Sequence, residues 1–150
     1  MNDLRLVVHD DPERTGQYRP VDIMIDGRRL IDELKRIEQP YADAEGSPEI
    51  AGQYHSLPIV ATLLPSQRFL DAPRRRSDEN GKTMILVCTC GCGGCWDFVC
   101  RIEFSDSTVT WSDFEQIHRD WDYSELGKFV FDRKSYEEQF AQIPPPPSTT

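Results

Sequence analysis

The chain has 150 residues, 17 Lys and Arg against 26 Asp and Glu for a formal charge of -9, and five cysteines, so it is long enough for one ordinary domain and too short for two full ones. Roughly two-thirds of the unfolded surface can be buried at this length, and 38% apolar, 29% charged and 10% aromatic residues exclude a disordered, collagen-like or disulfide-rich chain. The charge disfavours nucleic acid and anionic lipid as partners, and no apolar run approaches the ~18 residues of a membrane-spanning helix.

The opening MNDLRLVVHDDPE carries acids where a secretory signal would carry basic residues before an apolar stretch, so a cytoplasmic location is expected. Leu4 to Val8 reads as a short strand, followed by a loop from Asp10 to Gly16. Val21 to Ile25 reads as a second strand, turned by Asp26-Gly27. From Arg28 to Glu38, Leu30, Ile31, Leu34 and Ile37 recur at helical spacing, which predicts an amphipathic helix ending before Pro40. Tyr41 to Ser77 is rich in Pro, Gly, Ser and Ala and reads as loops with one or two short helices or strands. The basic cluster Arg74-Arg75-Arg76, with Arg68 and Lys82 nearby, is interleaved with Asp71, Asp78 and Glu79. It reads as a solvated loop, not a phosphate track.

Three period-2 segments follow. Met84 to Cys90 is the first and Cys95 to Phe104 the second, with Trp96, Phe98, Cys100, Ile102 and Phe104 on one face and Asp97, Arg101 and Glu103 on the other. Thr108 to Trp111 is the third, after the turn Ser105-Asp106-Ser107. This spacing predicts an antiparallel β-meander with one buried face, to which Phe129-Val130-Phe131 adds a strand. Asp132 is then an N-cap for a helix carrying Tyr136, Phe140 and Ile143. Strands followed by segregated helices predict an α+β fold, a single domain over residues 1–143. The run from Pro144 to Pro147 and the remainder to Thr150 predict a disordered or polyproline II tail over 144–150.

All five cysteines lie between Cys88 and Cys100, four of them in Cys88-Thr89-Cys90-Gly91-Cys92-Gly93-Gly94-Cys95. The glycines permit a turn between two strands. A four-residue turn would set Cys90 opposite Cys95 and Cys88 opposite Asp97, gathering thiols on one face. A five-residue turn would set Cys90 beside Trp96, Cys88 beside Phe98 and Leu86 beside Cys100. The second makes a continuous apolar stripe, which normally decides register, and a bulge could reconcile the two.

Three readings of the cysteines compete. In the first, Cys88, Cys90, Cys92 and Cys95 are candidate zinc ligands, built on the C-x2-C spacing of Cys92 and Cys95. No second C-x2-C knuckle is present, so Cys88, Cys100, His9, His55 or His118 would have to complete a tetrahedral set. In the second, the thiols are redox-active or form a Cys90–Cys95 disulfide. In the third, they are small buried hydrophobes in a tight hairpin.

Elsewhere, His118-Arg119-Asp120 matches a fragment of the protein-kinase catalytic loop, but the Asn due four residues after the Asp is Glu125, and the match is rejected. His118, Asp120, Trp121, Asp122 and Tyr123 form a polar-aromatic group, read as a surface loop with partly buried rings. No hydrolase, metalloprotease, Walker or dinucleotide fingerprint is present, so no catalytic residue is assigned.

The chain resembles a family of small uncharacterised bacterial proteins. The resemblance is carried by Ile25-Asp26-Gly27-Arg28-Arg29-Leu30-Ile31-Asp32, Glu49-Ile50-Ala51-Gly52-Gln53-Tyr54 with Leu57, Cys88 to Trp96, Val109-Thr110-Trp111-Ser112-Asp113-Phe114, and Phe129-Val130-Phe131-Asp132-Arg133. It implies a C-x-C-G-x-x-G-C hairpin, here Cys88, Cys90, Gly91, Gly94 and Cys95, with Cys92 at a variable position, and it implies no activity. The expectation is a non-catalytic binding or structural protein whose cysteine hairpin is a candidate zinc site. The alternatives are an acidic, immunity-type partner of a basic protein and a thiol-dependent enzyme or redox protein.

Overall fold

Two short apolar runs near the N-terminus pair first. The computed structural model describes residues 1–13, 15, 19–58, 82–88 and 96–143. β1 (Leu4–Val8) and β2 (Pro20–Ile25) are antiparallel, with Leu4 opposite Ile25 and Val8 opposite Val21. Asp26 and Gly27 both take positive φ, 54° and 80°, the two-residue hairpin geometry that matches strand twist. They turn the chain into β3 (Arg28–Arg29), paired back onto β2.

α1 (Leu30–Ala44) buries Leu30, Ile31, Leu34 and Ile37, the face expected from their spacing. Its bounds differ from the expected Arg28 to Glu38. Arg28 and Arg29 are committed to the strand ladder, so the helix starts later, and it continues through Pro40. An interior proline removes a backbone donor and typically costs about 3 kcal/mol. Here the final turn gains the complete burial of Ala42 and the stacking of Tyr41 on Trp121, with ring centroids 5.7 Å apart. The carbonyls of Tyr41 and Ala42 are also capped, by the amides of Glu45 and Ser47 at 3.0 Å each.

A 3₁₀ turn (Pro48–Ile50) leads to β4 (Tyr54–His55) and β5 (Leu57–Pro58); of the stretch expected to be loop-rich, Tyr41 to Ala44 belong to α1 and residues 59–77 lie outside the described residues. The meander follows as β6 (Thr83–Cys88), β7 (Phe98–Phe104) and β8 (Thr108–Gln116). A second 3₁₀ turn (Ser124–Leu126) precedes β9 (Phe129–Asp132) and α2 (Arg133–Ala141). One sheet runs β1-β2-β3 with β5 also on β2, and the other runs β4-β6-β7-β8-β9.

The sheets adjoin at two margins. At one, Asn2 bridges Phe131, its amide donating to the Val130 carbonyl at 2.7 Å and its side chain accepting from the Val130 amide at 2.8 Å. At the other, Ser56 alone separates β4, which pairs with β6, from β5, which pairs with β2. Among the described residues one hydrophobic core spans the two sheets and the two helices, with Leu34, Ile85, Phe98, Trp111, Phe131 and Tyr136 sealed from solvent. This is the expected α+β architecture with an antiparallel meander.

The meander departs from expectation in register and length. Thr83 faces Cys100, Met84 faces Val99 and Leu86 faces Phe98, with a bulge between Met84 and Leu86. Neither expected turn gives this pairing. The observed Leu86–Phe98 pair lies two residues from the five-residue-turn register, a shift that keeps these two side chains on their expected face. Beyond the bulge the Met84–Val99 and Thr83–Cys100 pairs lie three residues from it, so the stripe is not continuous across the bulge. Asp97, expected on the solvent face, is buried. β8 runs past Trp111 to Gln116 because a bulge near Arg101 is absorbed by Asp113 at φ 53°, whose carboxylate accepts from Arg101 Nε at 3.1 Å.

At the C-terminal end, Asp132 caps α2 as expected, accepting from the Ser135 amide at 3.0 Å, and Tyr136, Phe140 and Ile143 are buried. Gln139 of α2 and Gln142 at its C-cap cover the outer edge of β1, satisfying the Leu6 amide at 3.0 Å and its carbonyl at 3.3 Å. No described helix is long and apolar enough to cross a membrane. The cluster Arg74-Arg75-Arg76, residues Cys90, Cys92 and Cys95, and the tail 144–150 lie outside the described residues.

Candidate binding cleft at the seam between the sheets

Asp22 sits in the apolar strand β2 and is buried, 5% exposed. An ionised carboxylate in such a place must be hydrogen-bonded to persist. It accepts from His9 Nε2 at 2.6 Å, from Arg29 Nε at 2.9 Å and from the Ser56 hydroxyl. His9 directly follows β1 and is fixed by its own amide, which donates to the Pro20 carbonyl at 2.9 Å. Arg29 belongs to β3, and Ser56 is the residue at the seam. Burial opposes the Asp22 charge, but the hydrogen bonds from Ser56, Arg29 and His9 and the Arg29 charge together outweigh it. They hold the carboxyl below its ordinary range.

These residues form the wall of a cleft of about 600 Å³, completed by Asp10, Asp11, Gln53, Tyr54 and His55 among others. The volume lies within the range of small-ligand sites. Its rim is acidic, with the Asp10 carboxylate accepting from Arg19 at 2.8 Å and the Asp11 carboxylate from the Glu13 amide at 2.9 Å. Nucleophilic catalysis needs a hydroxyl hydrogen-bonded to its base, with a third group orienting that base. Here Ser56 and His9 both donate to the same carboxylate, an arrangement that fixes the wall of the cleft.

Beneath the cleft lies a second buried carboxylate. Glu38, on the apolar face of α1, is fully buried and accepts from the Tyr54 and Tyr123 hydroxyls at 2.6 Å each and from the Gly52 amide at 2.8 Å. Burial pushes its carboxyl up from the ordinary range, and the three hydrogen bonds only partly offset that. Burial likewise pushes both tyrosine hydroxyls far up. Gly52 and Tyr54 also line the cleft, so Glu38 ties the floor of the cleft to α1. Gly52 has φ +69°, and a β-carbon there would lie 2.7 Å from Lys35 Cβ.

The polar-aromatic group near His118 is anchored more deeply than a surface loop. Trp121 and Tyr123 are buried. Arg119 lies over the rings of Trp96 at 5.0 Å and Trp121 at 5.8 Å, and its Nε donates to Glu45 at 3.1 Å. His118 stacks on Trp96, with ring centroids 6.4 Å apart.

Of the cysteines, Cys88 lies on β6 opposite Tyr54, and Cys100 is buried opposite Thr83. Among the described residues no group of three or more His, Cys, Asp and Glu is arranged to hold a metal ion. Two histidines weighed as metal ligands line the cleft instead, His9 and His55. The cleft residues escaped the sequence reading because they come from four separated segments. One signal was available in each case: an acid inside an apolar strand at Asp22, and an acid on a helix's apolar stripe at Glu38. No model of a known protein family, no curated protein and no solved structure matches the chain.

Proposed function

We propose that the protein is a non-catalytic binding module that engages a basic partner protein at the seam cleft, as an immunity-type protein engages its effector. The observation that carries this reading is the convergence of His9, Arg29 and Ser56 on the buried Asp22 carboxylate, which preorganises the cleft. The formal charge of -9 supports a basic partner, since opposite charge steers encounter and suppresses wrong partners.

The test is a photo-crosslinking amino acid at Gln53, exposed at the cleft, compared with the same group at Asp106 in the β7–β8 turn. A discrete, salt-sensitive adduct with one basic protein at position 53 only is expected in the native host. Equal labelling at both positions, or none, contradicts the reading.

A structural zinc in the cysteine connection is a second reading, favoured by one observation. Cys88, Cys90, Cys92 and Cys95 fall within eight consecutive residues of the sequence. That short span limits how far apart the four thiols can lie.

A further inference from the structure

The cleft holds one feature that its structural hydrogen bonds leave unused. Asp22 is an acceptor, so the His9 Nε2 that contacts it at 2.6 Å carries the proton. In the neutral ring this leaves Nδ1 as an acceptor, and Nδ1 has no partner among the described residues. The His9 side chain is 47% exposed and lies on the cleft wall. The arrangement resembles neither a structural histidine, whose second nitrogen would also be bonded, nor a surface histidine, whose ring would not be oriented.

The charges around Nδ1 select among ligands. Arg29 faces the cleft, but its Nε is held by Asp22 at 2.9 Å and its Nη1 by Asp32 at 3.3 Å, so two carboxylates offset one guanidinium. Asp10 is offset by Arg19 at 2.8 Å. Among the described residues Asp11 accepts a backbone amide and has no ion-pair partner. With the His9 ring neutral, its Nδ1 acceptor, the Asp11 carboxylate and the Gln53 side-chain amide line one cavity. A ligand that matches them is a hydrogen-bond donor with positive charge.

Resting on the binding reading above, we propose that the seam cleft receives a cationic side chain of the partner, a guanidinium or an ammonium, hydrogen-bonded to His9 Nδ1 and paired with Asp11. A guanidinium presents five donors in a fixed fork and an ammonium three, and either can bond the imidazole and the carboxylate together. An anionic ligand would meet Asp11 and the acceptor nitrogen unfavourably.

The experiment follows backbone amide shifts of the full chain during titration with N-acetyl-arginine amide, N-acetyl-lysine amide, the neutral citrulline analogue and malonate. The arginine or lysine compound is expected to give saturable shifts at Asp11, Gln53 and His55, with a Kd on the order of millimolar for so small a ligand. Citrulline and malonate leave those amides in place. His9→Leu weakens binding about tenfold, the loss of roughly one good hydrogen bond to a charged group. Asp11→Asn, which leaves the Asp22 cluster intact, weakens it severalfold and serves if the His9 variant does not fold. Asp106→Asn changes nothing. Saturable shifts with malonate, or equal ones with citrulline, overturn the cationic inference and leave a binding cleft. Absence of saturable shifts from every probe overturns both.

Discussion

Ser56 donates its hydroxyl to Asp22 at the one residue where the chain leaves β4, a strand of the five-stranded sheet, and enters β5, a strand of the other. The contact joins the two sheets through a side chain where no backbone ladder does. Asp22 simultaneously takes His9 and Arg29, so one buried carboxylate fixes four chain segments.

Loss of these bonds should therefore cost more than a typical surface change. Ser56→Ala removes one charge-assisted donor and is expected to destabilise by about 1–2 kcal/mol. Asp22→Ala leaves Arg29 and His9 without their acceptor and is expected to cost about 3 kcal/mol or more. Urea unfolding measures both, and a change below about 0.5 kcal/mol for Asp22→Ala contradicts the assigned role.

The two buried carboxylates give opposite pH dependences. Asp22 has its folded pKa lowered, so its contribution is present above the ordinary carboxylate pKa and is lost as pH falls through the folded value. Glu38 has its folded pKa raised from 4.5. Its contribution is fully present below that ordinary value and is lost as pH rises through the raised one. Unfolding free energies between about pH 3 and pH 8 should show Asp22→Asn flattening the acid limb and Glu38→Gln flattening the decline on the other side. If Glu38→Gln leaves the slope unchanged, the carboxyl is not titrating in the folded protein.

Gly52→Ala should be costly for two independent reasons. Its φ of +69° is unfavourable for any residue with a β-carbon, and that carbon would stand 2.7 Å from Lys35 Cβ on α1. The strain alone is about 1–2 kcal/mol, and the clash also pushes the amide away from Glu38. A melting temperature within a degree or two of wild type would show that the 52–56 segment is not held as described.

Much of the fold was legible because it follows local pattern. The Asp26-Gly27 hairpin, the buried face of α1 and the Asp132 cap with Tyr136 and Phe140 behind it each rest on neighbours in sequence. The departures come from tertiary forces. Pro40 reads as a stop, but Tyr41 stacked on Trp121 and Ala42 in the core carry the helix past it. The β6–β7 register turns on a bulge, which leaves no mark in an alternating pattern. The cleft was not legible as a site, since Asp22 gains its meaning only when His9, Arg29 and Ser56 arrive from elsewhere. A carboxylate in the run Val21 to Ile25 is the one trace it left.

Zinc in the cysteine connection predicts a metal content near one ion per chain in protein purified without chelator, read by elemental analysis, since four clustered thiols make a single structural site. Cys90→Ser and Cys95→Ser should each remove the metal and lower stability. Metal-free wild-type protein, as stable as either variant, would discard the zinc reading and leave the cleft reading untouched.

The most direct test of the binding role is amide hydrogen exchange of the full chain alone and with the basic protein captured through position 53. Added protection is expected at residues 9–12, 20–22, 29 and 52–56, the segments that line the seam cleft, with α2 unchanged. Protection centred on α2 or elsewhere on the meander, with the cleft exchanging as in the free protein, would contradict the binding role.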